Sequence, residues 1–220
     1  QAYFQELKRA AHKLPRVAKS LNRWATGCYS SMARLKKQFR QLENEYFLTE
    51  KMAAAAAFQG LMKYPQAELE EALKDLLFVE FHDILPGSSI PPVEQDCLQT
   101  IAHGLTILAR VKMEAFLKLA GGQKQAKEGE IPILVYNPHP GKVGQQVECE
   151  FNLADAKFWD QFTDVQVYQD GRPLPTQVEH EASSLHKVDW RKRVVFAAEL
   201  EAGQMSRFDC RMTVLPARKS

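Results

Sequence analysis

The first 120 residues follow the hydrophobic period of an α-helix. Between residues 32 and 62, mostly apolar side chains recur at alternating steps of three and four, which places them along one face of a long helix. Ser30 or Ser31 is expected to cap the start of this helix, and Tyr64-Pro65 ends or interrupts it. The members of the stripe are Met32, Leu35, Phe39, Leu42, Tyr46, Thr49 and Ala53.

Two more amphipathic helices are predicted. One covers residues 67–81, a stretch rich in Glu, Leu and Ala. The other covers residues 93–120, follows Pro91-Pro92 and ends at Gly121-Gly122. Its apolar stripe contains Leu98, Ile101, Leu105, Leu108, Val111 and Ala115. Three such helices with short connections predict an antiparallel three-helix bundle over residues 27–121.

From residue 131 the period becomes two, as in β-strands. Residues 131–136 form a nearly continuous apolar run, and apolar and polar side chains alternate over 146–151 and 208–214. A further strand is predicted at 194–200. Asp170-Gly171 indicates a hairpin between strands at 165–168 and 176–180. Residues 131–220 are therefore predicted to be an antiparallel, sandwich-like β domain, which makes the fold class α+β. The polar residues 122–130 form the linker.

Composition excludes several classes of function. With 29 basic and 27 acidic residues, the net charge of +2 gives no reason to expect a nucleic-acid or membrane partner. No apolar run approaches the roughly 20 residues that span a bilayer. The four cysteines are far apart and form no C-x-x-C pair, which favours reduced thiols in a cytosolic protein. The chain begins Gln-Ala-Tyr-Phe without a methionine, and we expect a fragment of a longer protein.

A basic run in the β half is the one candidate for a nucleic-acid contact. It contains Lys187, Arg191, Lys192 and Arg193 beside Trp190. Asp189 interrupts it. We interpret the run as a solvated strand edge.

Residues 81–90, FHDILPGSSI, hold the strongest candidate for chemistry. His82 and Asp83 stand together where a helical pattern breaks at Pro86-Gly87. A neutral imidazole binds divalent metals, and a carboxylate is an oxygen ligand or hydrogen-bond acceptor. By residue type alone, a satisfied structural pair is the more common outcome, and a ligand role stays open. No H-E-x-x-H motif is present, and a catalytic zinc needs about three protein ligands, so any co-ligands lie elsewhere. The other histidines are interpreted as structural or solvent-facing: His12, His103, His139, His180 and His186.

Three motifs resemble glycoside hydrolase family 38, the class II α-mannosidases, in its bacterial branch. Residues 81–90 are the most specific of them. Residues 27–31, GCYSS, followed by Lys36 or Lys37, Arg40 and Glu43, are similar to the family pattern G-x-Y-[ST]-S…K…R…E that opens its middle helical domain. Residues 135–138, VYNP, resemble the start of its C-terminal β region.

This resemblance implies roles for two residues. His82 matches the histidine that the middle domain gives to the family's catalytic zinc, and Asp83 matches an aspartate that contacts hydroxyls of the bound mannose. The implied mechanism is retaining hydrolysis with an aspartate nucleophile and an acid/base carboxylate. In this family the nucleophile and the other zinc ligands belong to an N-terminal β/α domain. Residues 1–26 would be only the tail of that domain, which leaves no catalytic residue in this chain.

The function implied is part of a zinc-dependent α-mannosidase, cytoplasmic and bacterial, that acts on α-mannosides or manno-oligosaccharides. Its partners would be that substrate and the missing N-terminal catalytic domain, without nucleic acid or membrane, and a homo-oligomer is left open. The alternative is a stand-alone carbohydrate- or protein-binding module with Trp159, Trp190 or Tyr168 as a stacking platform. A long upstream coding region favours the enzyme, and a short reading frame favours the module. A scaffold without a ligand is the third interpretation.

We predict that the purified 220-residue chain does not turn over an aryl α-mannoside. One zinc ligand without the nucleophile cannot assemble the reaction, because coordination strength comes from several converging ligands. The measurement is release of the aryl alcohol, with the full-length parent as positive control. Release above the protein-free rate would contradict the prediction.

Overall fold

The computed structural model describes residues 1–20, 24–158, 161–179 and 188–216. These ranges contain four α-helices followed by seven strands, so the predicted α+β class is confirmed. Several residues named in the sequence interpretations lie outside the described residues, namely Trp159, His180, His186 and Lys187.

The helices occupy the N-terminal half. A short helix comes first and contributes no buried side chain among its described residues, and two single 3-10 turns separate it from three long helices that share one core. The 3-10 turns are Ala11–Lys13 and Thr26–Tyr29. The α-helices are α1 Ala2–Arg9, α2 Ala33–Phe58, α3 Gln66–Val79 and α4 Pro91–Leu119.

The predicted apolar stripes are the faces that the long helices bury. Leu35 and Leu42 of α2 and Ile101 and Leu108 of α4 are completely inaccessible to solvent. Gly104 of α4 lies close to both α2 and α3. A Cβ at that position would lie 3.0 Å from a methyl group of Leu42 and 3.3 Å from a carboxylate oxygen of α3. The i, i+3, i+4 pattern therefore located the helical core correctly.

The start of α2 differs from the prediction. Its N-cap residue is Met32, whose backbone is left-handed with φ of 47°, and no side chain in the described part of the chain caps the helix. The expected cap at Ser30 or Ser31 is therefore wrong. The hydroxyl of Ser31 donates instead to the carbonyl of Pro86, a residue that follows α3 in the sequence.

The strands form two antiparallel sheets. A four-stranded sheet has the order β1-β7-β3-β4, and a three-stranded sheet has the order β2-β6-β5. Both sheets contribute to one core, where the rings of Phe196 and Phe208 lie 4.9 Å apart. The strands are β1 Glu130–Tyr136, β2 Val143–Phe158, β3 Phe162–Gln169, β4 Arg172–Pro173, β5 Thr176–Glu179, β6 Val188–Leu200 and β7 Met205–Leu215.

The hairpin at Asp170-Gly171 has a different second strand from the one predicted. Both turn residues have positive φ, 50° and 79°, as a tight two-residue hairpin requires. The strand that returns along β3 is the two-residue β4. The chain then crosses to the other sheet, where β5 pairs with β6.

The basic run is not a solvated strand edge. Strand β6 lies in the middle of its sheet, between β2 and β5, and Lys192 is only 1% exposed. Its ammonium pairs with Asp189 and lies 3.8 Å from the centre of the Phe162 ring. The neighbouring Arg191 and Arg193 pair with glutamates of β2. Buried charges are rare without such partners, and sequence alternation alone does not reveal them.

The VYNP segment joins the two halves of the chain. Tyr136, at the end of β1, packs against a cluster of α2 and α4 side chains that includes Met52, Ala56 and Val111. The next residue, Asn137, is buried, and its amide donates to the carbonyls of residues 141, 200 and 201 at 3.0–3.1 Å. The segment thus attaches the β sandwich to the helices and closes one of its corners.

The cysteines Cys28, Cys97, Cys149 and Cys210 are free thiols. Burial raises the pKa of Cys210 to about 12, which keeps this thiol protonated and unreactive. Within the described ranges, no helix has both the length and the apolar character needed to cross a membrane.

We predict that the packing of α3 against α4 is more stable at acidic than at alkaline pH. His103 Nδ1 lies 2.7 Å from Asp75 Oδ2, and this hydrogen bond and charge, aided by Glu71, raise the pKa of His103 above its ordinary 6.5. The stabilisation is therefore complete below about pH 6.5 and is lost as the pH rises through the raised value. The measurement is urea unfolding of the wild type and His103→Gln at pH 6 and pH 9. An advantage of the wild type that is equal at both pH values would contradict the prediction.

Candidate functional site

The candidate site is a tight turn that follows α3. Residues 81–86 keep helical hydrogen bonding, with the amide of Ile84 donating to the carbonyl of Phe81 at 2.9 Å and the amide of Gly87 donating to the carbonyl of Ile84 at 2.9 Å. Ile84 is 5% exposed and belongs to the helical core. The turn is thus attached to the bundle of packed helices by its own central side chain.

His82 and Asp83 lie on the outer side of this turn. Their side chains are 78% and 59% exposed, and His82 Nε2 lies 3.4 Å from Asp83 Oδ2. The ring of Phe81 lies 4.2 Å from the imidazole, and the hydroxyl of Ser88 donates to Asp83 Oδ1 at 3.2 Å. An imidazole nitrogen and a carboxylate oxygen therefore stand side by side and open to solvent.

The backbone of the turn is held by the N-terminal end of α2. The carbonyls of Leu85 and Pro86 end the turn, where a helix leaves its last carbonyls without intrahelical partners. Lys36 Nζ donates to Leu85 O at 2.7 Å and to Ser31 O at 2.6 Å. Ser31 Oγ donates to Pro86 O at 2.5 Å. We call this set of contacts, made by Ser31 and Lys36 to Leu85 and Pro86, the loop clamp.

Gly87 is required at the point where the loop clamp closes. Its φ is +77°, a conformation that favours glycine, and a Cβ there would overlap Ser31 Oγ and lie 3.0 Å from Ser31 Cβ. Two residues later, Ser89 Oγ lies 3.8 Å from the sulfur of Met32. The GCYSS and FHDILPGSSI motifs, separated by about 50 residues in sequence, therefore form one structural unit.

The described residues do not form a complete metal site. Across 1–20, 24–158, 161–179 and 188–216, no three His, Cys, Asp or Glu side chains are close enough together to hold a metal ion. The turn offers one imidazole and one adjacent carboxylate. A catalytic zinc takes about three protein ligands, so these two groups do not complete its coordination.

An apolar surface borders the two polar side chains. Leu77, Phe78 and Phe81 are each more than half exposed, and they lie together along the end of α3 and the start of the turn. We call these three residues the apolar strip. Exposed apolar groups in contact with each other mark surfaces where other protein segments bind.

The aromatic residues proposed for a stacking platform do not form one surface. Tyr168 belongs to β3 of the four-stranded sheet and Trp190 to β6 of the other sheet. The guanidinium of Arg211 already covers the Tyr168 ring at 4.3 Å. Trp159 lies outside the described residues. A shared platform of Tyr168 and Trp190 is therefore not supported.

Comparison with known proteins identifies the helical half. Residues 23–119 match the family model described as the alpha mannosidase middle domain. The helical half therefore resembles the middle domain of α-mannosidases. His82, Asp83 and both halves of the loop clamp lie inside the matched range.

The proteins that this chain resembles are much longer than the chain. An "Alpha-mannosidase" of Saccharomyces cerevisiae is 28% identical over 128 residues, which is 57% of this chain and 12% of the yeast protein. Two solved structures from Enterococcus faecalis have the same fold. One, described as an alpha-mannosidase, superposes with a TM-score of 0.68 at 16% identity, and the other, described as a glycosyl hydrolase family 38 protein, with 0.67 at 17%. Each match covers 99% of this chain and 29% of the longer one.

Sequence reasoning singled out His82 and Asp83 as candidates but missed the contacts that hold their turn. It left Lys36 and Lys37 as equal matches to the family's lysine, whereas Lys36 is the one that reaches the turn. It also gave Ser31 a capping role. Pro86-Gly87 was visible as a helix break, yet no periodic signal indicates which residue accepts or donates across 49 or 55 positions.

We predict that Gly87→Ala destabilises the helical half by about 2–4 kcal/mol, through the strained φ and the overlap with Ser31. The matched control is Gly122→Ala, because Gly122 has a similar φ of +75° and a Cβ there would meet nothing within 4 Å. This control is expected to lose only about 1 kcal/mol. Urea unfolding followed by the helical circular dichroism signal measures both variants. Equal losses would show that the Ser31 contact does not matter.

Proposed function

We propose that this chain is part of a zinc-dependent retaining α-mannosidase that hydrolyses terminal α-linked mannose from mannosides or manno-oligosaccharides. One observation carries the proposal. An exposed imidazole and an exposed carboxylate stand side by side on a clamped turn, inside a domain that matches the α-mannosidase middle domain. The parent is proposed to be a cytoplasmic bacterial enzyme.

The two side chains are suited to different tasks. His82 presents an imidazole nitrogen that is a good zinc ligand when neutral. Asp83 accepts the Ser88 hydroxyl on Oδ1 and keeps its other oxygen toward His82 and solvent, where it can accept hydrogen bonds from sugar hydroxyls. Zinc, when bound, would supply a positive charge that polarises adjacent hydroxyls of the sugar. The chain's own contribution is to bind and orient.

The remaining groups belong, in this proposal, to a preceding catalytic domain of the same protein. That domain would carry the nucleophile, the acid/base carboxylate and the other zinc ligands. Two observations support it. The solved relatives extend well beyond the 29% of their length that this chain matches, and the apolar strip lies immediately beside His82. A domain whose ligands meet His82 has to cover this surface, and three exposed apolar side chains suit such burial.

We predict that His82→Ala in the full-length parent lowers kcat/KM for an aryl α-mannoside by at least about a hundredfold and lowers the bound zinc per chain. The loss of a direct ligand should exceed the 10–100-fold typical of outer-shell partners. Steady-state kinetics and metal analysis are the measurements. The matched control is His139→Ala, another exposed histidine outside the helices, in the β half.

A second variant in the same series separates the two proposed roles. Asp83→Asn should lose turnover while it retains zinc, because the carboxylate contacts the sugar in this proposal. If His82→Ala keeps activity and zinc at the level of the His139→Ala control, the ligand role is wrong and the scaffold interpretation stands. Loss of zinc in Asp83→Asn would instead make the aspartate a ligand.

A further inference from the structure

We infer that Lys36 is a positioning residue for the proposed site, and that its ammonium fixes His82 and Asp83 by holding the end of their turn. The inference rests on the proposed function for its catalytic consequence. Its structural content, that Lys36 restrains the loop, stands on the contacts of this chain alone.

The turn after α3 needs donors from outside itself. Its amides donate to the carbonyls of Phe81 and Ile84, and no amide of the turn donates to the carbonyls of Leu85 or Pro86. A carbonyl that is shielded from water without a donor costs about 1–3 kcal/mol. Lys36 supplies the donor for Leu85, and Ser31 supplies it for Pro86.

Lys36 joins two motifs rather than stabilising only its own helix. Its two hydrogen bonds are both to carbonyls, one on each side of the loop clamp, at 2.6 and 2.7 Å. A charged donor makes hydrogen bonds that are roughly twice as strong as neutral ones. Neighbouring Lys37 is exposed on the same helix, so it is the ammonium of position 36 that enters this junction.

His82 and Asp83 have little anchorage of their own. Both are largely exposed, and their local contacts come from Phe81 and Ser88, which are also in the loop. Their position is therefore determined by the burial of Ile84 and by the carbonyls that the loop clamp holds. The first of these carbonyls is only two residues beyond Asp83, so a displacement at the clamp moves both functional groups.

Loss of Lys36 should spare the helical core. The buried stripe of α2 consists of residues such as Leu35 and Leu42, which pack against α3 and α4. Lys36 is not a member of this stripe. Its removal should loosen the loop while the packed helices stay folded, which separates a positioning role from a general structural one.

The first experiment is hydrogen–deuterium exchange of this 220-residue chain, with peptides from the loop and from α4 compared. Lys36→Met should speed exchange in the 81–90 peptide by at least about tenfold, the equivalent of one lost charged hydrogen bond. Lys36→Arg, which can donate to the same carbonyls, should stay within about threefold of the wild type. Lys37→Met is the matched control and should change nothing. If Lys36→Met leaves loop exchange within twofold of the wild type, the inference is overturned.

The second experiment measures kcat, KM and the rate of zinc loss to a chelator in the full-length parent. Lys36→Met should lower kcat and speed zinc loss by about tenfold or more, with KM little changed and with rescue by Lys36→Arg. A merely structural role would lower the melting temperature without changing kcat per folded molecule, and that result would overturn the inference.

The His82→Ala variant in the same series distinguishes the two proposals. If His82→Ala is inactive and Lys36→Met turns over like the wild type, the positioning inference fails and the proposed function survives. If His82→Ala is fully active, the proposed function fails, and the exchange measurement decides separately whether Lys36 restrains the loop.

Discussion

A backbone carbonyl that loses its helical partner must find another donor, and this requirement organises the whole region around His82 and Asp83. The turn after α3 ends at Gly87, and no amide of the turn donates to the carbonyls of Leu85 and Pro86. Both carbonyls accept hydrogen bonds from side chains at the start of α2, those of Ser31 and Lys36. Ser31, one of the two residues expected to cap α2, meets this requirement instead. The hydroxyl that would cap the helix is already engaged with the loop.

The same principle recurs in the β half. Asn137 satisfies three carbonyls at one corner of the sandwich, and Asp189 accepts from both the ammonium of Lys192 and the amide of Thr163. Each of these polar groups is buried, and together they join segments that are distant in sequence. The apolar cores give both halves their bulk, whereas the buried polar contacts determine how the loops meet. Such networks specify one arrangement only when every member has a partner.

The sequence predicted the elements that carry a repeating hydrophobic pattern and missed the contacts that have no such pattern. Helices α2 and α4 were recognised because their apolar stripes extend over many turns, and β1 because it is one apolar run. The predicted partner of β3 was wrong because a two-residue strand such as β4 is too short to show an alternating pattern. The turn at Asp170-Gly171 also gives no information about which sheet the next strand joins. Lys192 was interpreted as solvated because a lysine in an alternating run usually is, and its partner Asp189 was taken as an interruption. At the candidate site, His82 and Asp83 were singled out by their resemblance to a family motif, whereas the contacts of Ser31 and Lys36 with their turn are visible only in the folded chain.

The position of β1 at the edge of its sheet has a consequence for the order in which the protein is made. This strand pairs with β7, and its partners are residues 205–211. During synthesis, about 70 more residues must therefore be added before the β1–β7 ladder can form. The contacts of the core that α2, α3 and α4 share all lie within residues 32–119, so they can form before residues 205–211 have been synthesised. The turn with His82 and Asp83 can thus assemble while β1 is still unpaired. The helices against which Tyr136 packs, α2 and α4, both precede that strand in the chain.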